Sequence, residues 1–175
     1  MLASVAGNAG AGGVMLALGA DEVILREGVV LNPHYRTMGL FGSEYWTYVL
    51  PRRVGAHQAE MLTSRCEPID ATDALRIGLA DQVVGGPRAA FEDMVLDHAL
   101  RLATRDDYYP RLEHKRALRA ADERRRPLDV YRTEELATMS RDIFDDRLGF
   151  AAARHAFVMK RSVETQPSAS RRSVA

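Results

Sequence analysis

Apolar positions along the chain fall into two regimes. Residues 2 to 6 are small and apolar, Val14 to Leu18 form a continuous apolar run, and Glu22 to Leu25 and Val29 to Leu31 carry short ones separated by Arg26-Glu27-Gly28. Runs this short, bounded by glycine and charge, predict a strand over residues 2 to 6, a buried helix over about residues 12 to 20, and buried strands at 22–25 and 29–31. Trp46, Val49 and Leu50 give an apolar side to a helix running from Glu44, with Ser43 placed to cap it and Pro51 to bend or end it. A short helix over Gly55 to Leu62 precedes a break at Pro68. Asp70 is set to cap the next helix, which Gly78-Leu79-Ala80-Asp81 ends before a short strand at Gln82 to Val84. From Pro87 onward the period is helical throughout. Phe91, Val95, Ala99 and Leu102 form one stripe, and Leu128, Tyr131, Leu136, Met139 and Ile143 a looser one, both read as core-facing. The pattern divides the chain into an α/β part over 1–86, an all-helical region over 87–165, and a Ser- and Arg-rich tail over 166–175 expected to be disordered.

Between the first strand and the helix, residues 7 to 13 hold four glycines, Gly7, Gly10, Gly12 and Gly13. Without a Cβ such a loop brings bare backbone N–H groups close to another molecule, and the helix start beyond it leaves its first N–H groups unpaired. That makes a donor site for an anion. No Lys followed by Ser or Thr comes after the last glycine, as a P-loop needs, and the spacing is not that of a dinucleotide fingerprint. On the residues alone, close packing of helix on sheet accounts for the glycines as well as an anion site does.

Composition narrows the class. The 175 residues suit one domain, or one with an appendage, and 24 acidic against 24 basic residues leave no net field to draw nucleic acid or an anionic membrane surface. Cys66 is the single cysteine, so no internal disulfide forms; it reads as a buried thiol, and a cytoplasmic location is the default. No apolar run is long enough to span a bilayer. Lys115, Arg116, Arg119, Arg124, Arg125 and Arg126 form a basic run diluted by Glu113, Asp122 and Glu123, which reads first as a solvated helix face. Asn32 to Trp46 is the stretch richest in groups able to do chemistry, with His34, Tyr35 and Glu44. Each has a plain structural account: a satisfied polar residue at a strand end, an amphipathic core residue, and a carboxylate favouring a helix start.

The segment from Val5 to Asp21 resembles the signature of the crotonase (enoyl-CoA hydratase/isomerase) superfamily, and the passage from Pro68-Ile69-Asp70-Ala71 to Gly78-Leu79-Ala80-Asp81 resembles the part that closes that family's core. The resemblance implies a partial crotonase spiral of short strands and helices, followed by the helical region. It implies that the Gly12 N–H is half of an oxyanion hole for an acyl-CoA thioester, with Ala11, Gly13 and His34 lining the substrate, coenzyme A as acyl carrier and no metal. The two glutamates of ordinary hydratases fall here on Met15 and His34, which argues against water addition.

Longer stretches, Gly7 to Leu18, Val29 to Tyr35, Met38 to Tyr48, Leu50 to Gly55 and Arg126 to Ala137, resemble the C-terminal crotonase-like domain of the HypX (HoxX) family of hydrogenase-maturation proteins. That likeness implies breakdown of formyl-CoA to carbon monoxide and coenzyme A, the monoxide becoming a ligand of the [NiFe]-hydrogenase iron. Glu44 would be the proton-transfer group, in an apolar pocket that raises its pKa, with Tyr35 as its hydrogen-bonding partner and Gly12 as oxyanion donor. The basic run could then clamp the phosphates of coenzyme A. Tetrahydrofolate would enter only through a separate formyl-transfer module. By the same likeness Met1 falls at the family's last strand before the glycine turn. The earlier strands and the other oxyanion N–H are then expected from elsewhere, and the chain alone is expected to be inactive. A non-catalytic interaction module and an ordinary hydratase or isomerase are the competing readings.

Overall fold

The computed structural model describes residues 1–159, so the tail expected at 166–175 lies outside the described residues. Within them the first third of the chain winds as a spiral. β1 (Leu2–Val5) leads to β2 (Ala9–Gly10) and α1 (Gly12–Leu18), and β3 (Glu22–Arg26) and β4 (Val30–Asn32) repeat the strand pair one turn later. The next turn runs through α2 (Trp46–Val54), α3 (Ala56–Arg65), β5 (Ile69–Asp70), α4 (Ala71–Arg76) and β6 (Gln82–Val84). Each turn thus contributes one strand to each of two small sheets. In the first, β3 lies between β1 and β6, parallel to both, with Val23 opposite Ala3 and Leu25 opposite Val83. In the second, β4 pairs parallel with β2 and antiparallel with β5. Parallel neighbours need a crossover, and α1 is the one that joins β1 to β3.

The side-chain period of a strand assigns the two faces of β3. Val23 and Leu25 enter the main core with Val14, Met15, Leu18, Leu31, Leu50 and Leu79. Ile24 is equally buried on the other face, and α5 (Arg88–Ala103), which packs against β3, buries Phe91. Val95, Ala99 and Leu102 are half-buried along α5, as the stripe predicts. The Asp70 cap forms as expected, its Oδ1 accepting from Asp73 N at 2.8 Å, and Cys66 is a buried free thiol.

Five expectations are corrected. α1 is not buried all round, because Leu16 stands 83% exposed while Val14, Met15 and Leu18 face the core. Ser43 does not cap a helix from Glu44. α2 starts at Trp46, after Tyr45 in the left-handed region (φ 58°), and no side chain of its own segment caps it. Pro51 does not end it either. The proline gives up one N–H, but Leu50 is fully buried, Val54 packs on the core, and Gly55 N closes the last turn on Pro51 O at 2.9 Å. The helix over Gly55 to Leu62 continues to Arg65.

The remaining helices are α6 (Tyr108–Arg125), α7 (Leu128–Phe144) and α8 (Phe150–Val158). The fifth correction falls on α7. Leu136 and Ile143 of the expected apolar stripe are exposed, and its two fully buried side chains are Glu135 and Asp142. Seven residues apart, these lie on one face of the helix. That face meets α2 and the irregular segment before it, so the buried groups there are acceptors for backbone donors rather than hydrocarbon.

Candidate active site

The glycine turn and the segment before α2 come together. At the turn, Ala11 takes φ 46° and ψ −123°, a conformation disfavoured for a residue with a Cβ. Its N–H is held by Asn32 O at 2.8 Å, and its carbonyl accepts from Val14 N at 3.1 Å. The N–H groups of Gly12 and Gly13, the first of α1, find no acceptor among the described residues.

Glu44 faces this turn. A Cβ placed on Gly12 would lie 3.1 Å from Glu44 Cγ, Cδ and Oε1, so the carboxylate occupies the space that glycine leaves. Its Oε2 accepts from Ser43 N at 2.9 Å, which turns the side chain back over its own segment. Glu44 is exposed, so the desolvated pocket expected around its carboxylate is not formed by the described residues. The physical reason is its place: it sits in an irregular segment two residues ahead of α2, not on a helical face packed against the core.

Tyr35, buried at 5% exposure, lies under the same segment. A Cβ on Gly42 (φ 93°) would come within 3.0 Å of its ring and of Trp46 Cδ1. Burial, and then the nearby Glu44 carboxylate, push the phenol far above its ordinary value, so it keeps its proton and has an O–H to donate. Its hydroxyl lies near the Glu44 carboxylate but meets no partner at full hydrogen-bond geometry among the described residues. Asn32 Oδ1 and Trp46 Nε1 are likewise buried without partners among the described residues. His34 lies on the other side of the turn. Its Nδ1 is 2.9 Å from Asn32 O, an atom that can only accept, which puts the proton on Nδ1 and leaves Nε2 as the free nitrogen. The ring covers Gly10, where a Cβ would meet His34 Cε1 at 2.4 Å.

All six residues singled out from sequence, Ala11, Gly12, Gly13, His34, Tyr35 and Glu44, therefore gather around one turn. Met15 is 2% exposed in the core and offers nothing to this surface. Glu135 and Asp142 were not foreseen. Glu135 Oε2 accepts from Tyr45 N at 2.7 Å and its Oε1 from Thr47 N at 2.9 Å, while Asp142 Oδ2 accepts from Phe41 N at 2.8 Å. Their only trace in the sequence is two acids seven apart in an otherwise helical run.

A cavity of about 760 Å³ lies elsewhere, lined by Leu18, Tyr48, Arg52, Leu112, Lys115 and others, and reached by none of the six. Lys115 and Arg119 of the basic run border it, but much of the run is neutralised: Lys115 pairs with Asp21, Arg116 with Glu113 and Arg126 with Glu134. No helix among the described residues is long and apolar enough to cross a membrane.

The family model described as enoyl-CoA hydratase/isomerase matches residues 1–166. The hydrogenase maturation factor HoxX of Bradyrhizobium diazoefficiens is 43% identical over 157 residues, which is 89% of this chain and 28% of HoxX. The crystal structure of HypX from Aquifex aeolicus in complex with tetrahydrofolic acid superposes with a TM-score of 0.85 at 37% identity, over 95% of this chain and 30% of HypX. An enoyl-CoA hydratase of Mycobacterium avium subsp. paratuberculosis, 24% identical with a TM-score of 0.79, shares the fold over 95% of this chain and 65% of its own. The chain spans less than a third of the length of the HoxX and HypX proteins it matches. By the match of the family model over nearly its whole length, and by the spiral of paired strands that accompanies it, this chain belongs to the enoyl-CoA hydratase/isomerase family.

Proposed function

We propose that the chain is the acyl-CoA-handling, crotonase-like part of a hydrogenase-maturation enzyme, and that it breaks formyl-CoA into carbon monoxide and coenzyme A. The observation that carries this reading is the Glu44 carboxylate set against Gly12, beside a buried phenol whose proton is held by that burial, where the hydratase carboxylate positions hold Met15 and His34 instead. The likeness to HoxX and HypX supports the biological setting.

In this reading the thioester oxygen accepts from the Gly12 N–H, a donor worth about 3–4 kcal/mol when charge develops on that oxygen. Glu44 removes the formyl proton. The C–H electron pair stays on carbon as the lone pair of carbon monoxide, and the C–S pair leaves with the sulfur. The proton on Glu44 then passes to the thiolate, which restores the carboxylate and releases neutral coenzyme A. Tyr35 donates a hydrogen bond toward Glu44 or the formyl oxygen without giving up its proton. No water is consumed, consistent with the absence of a carboxylate pair suited to deliver one.

The test is carbon monoxide release from formyl-CoA, read by its capture on reduced myoglobin, with the chain assayed together with the strands and second oxyanion donor expected from elsewhere. Glu44→Gln is expected to lose about 10²-fold or more of the release while coenzyme A affinity, read by isothermal titration, stays within about twofold. Retained release rejects the role of Glu44. Failure of the unaltered protein to bind coenzyme A rejects acyl-CoA chemistry in favour of a non-catalytic docking module.

A further inference from the structure

Segment 41–47, which carries Glu44, is irregular up to the start of α2 at Trp46, and four of its backbone N–H groups are received by one helix. Reading along α7 from its C-terminal end, Asp142 takes the Phe41 N–H at 2.8 Å, the Met139 sulfur takes the Gly42 N–H at 3.1 Å, and Glu135 takes the N–H groups of Tyr45 and Thr47 and the Thr47 hydroxyl. Positions 135, 139 and 142 lie on one helical face, so the segment runs antiparallel to α7, with a donor received at each turn of it. Asp142 is partnered on its other oxygen by Arg147. Glu135 has no cationic partner among the described residues and is fully buried, a costly place for a carboxylate unless every donor around it is needed.

We infer that Glu135, with Asp142 behind it, is the positioning residue that holds Glu44 against Gly12. Ser43 and Glu44 make no hydrogen bond with α7 and lie between the anchored residues Phe41 and Gly42 on one side and Tyr45 and Thr47 on the other. Glu44 is therefore a short bridge whose two ends are fixed by the same helix, and the distance from its carboxylate to the glycine turn is set from α7 rather than by packing around Glu44 itself, which is exposed. This deepens the reading of Glu44 given above and rests on it for its catalytic meaning, but the geometry can be probed without any reaction.

The experiment follows the Gly12 amide by NMR in the full chain through a pH titration. The share of its shift change that Glu44→Gln removes measures how closely the Glu44 carboxylate approaches. Glu135→Gln keeps the size of the side chain but replaces one acceptor oxygen with a donor that faces an N–H. It is expected to cut that Glu44-dependent change by at least half while amide exchange in β3 stays as slow as in the unaltered protein, and Glu135→Asp is expected to recover part of it. If Glu135→Gln prevents folding, Thr47→Val, which removes one of the three donors and keeps the shape, is expected to give a smaller loss of the same signal. A folded Glu135→Gln or Thr47→Val protein with the full Glu44-dependent change overturns the inference. Because no acyl-CoA is present, this outcome is independent of whether formyl-CoA is the substrate.

Discussion

The spiral core and the helical region bury different things. Around β3 the interior is hydrocarbon, with Val14, Val23, Leu25, Leu31 and Leu50 at or near zero exposure. At the joint between α7 and the segment before α2, the fully buried side chains are two carboxylates that receive backbone N–H groups. The first kind of burial gives stability and tolerates any shape that fills the volume. The second is poor as a source of stability and demanding in geometry, because each acceptor must meet its donor. The core makes the fold durable, whereas the helical region specifies one loop.

Three changes sharpen this contrast, beyond those already described. Leu25→Ala, in the central strand, is expected to cost about 2–5 kcal/mol of global stability, read as a lowered denaturation midpoint with an unchanged slope. Asp142→Asn is expected to cost about 1.5–3 kcal/mol, since the Arg147 guanidinium and the Phe41 N–H lose a charged acceptor. Its mark is local. Hydrogen exchange of the Phe41 and Gly42 amides should rise well before that of β3, and equal acceleration in both places would erase the distinction drawn here.

The smallest effect is expected at Asp21, which joins the core to α6 through Lys115. Partial burial works against its charged form, but the positive charge facing it outweighs that and leaves its carboxyl below the ordinary 3.8. A lowered folded pKa means the contribution is complete above the unfolded value and is lost as pH falls through the folded one. Asp21→Asn should therefore flatten the acid limb of a stability–pH curve, and added salt should shrink the difference, as for any exposed pair. A steeper acid limb in the variant would show that burial wins there.

What the sequence revealed follows the same division. The strand and helix of the glycine turn, the buried strand at Glu22, the Asp70 cap and the Phe91 stripe all announce themselves through apolar spacing or a local side-chain cap, signals carried within a few residues. The start of α2 does not, because its acceptor is Glu135, some ninety residues downstream. Hydrophobic periodicity on α7 picks out Leu136 and Ile143, both exposed, since a buried acid is invisible to a pattern that treats charge as surface. Gathering Glu44 to Gly12 came from the family likeness; nothing in local spacing brings an irregular segment across to a turn thirty residues before it.

One contact on the far side of that segment bears on how such proteins are dissected. Gly39, at φ 66°, abuts the main chain that enters α8: a Cβ there would fall 2.6 Å from Phe150 N and 2.8 Å from Leu148 O. Here peptide plane meets peptide plane, with no side chain interposed. Trimming α8 residue by residue to alanine will miss this backbone approach, and replacing one α-hydrogen of Gly39 with a methyl group should pry loose what those truncations leave seated.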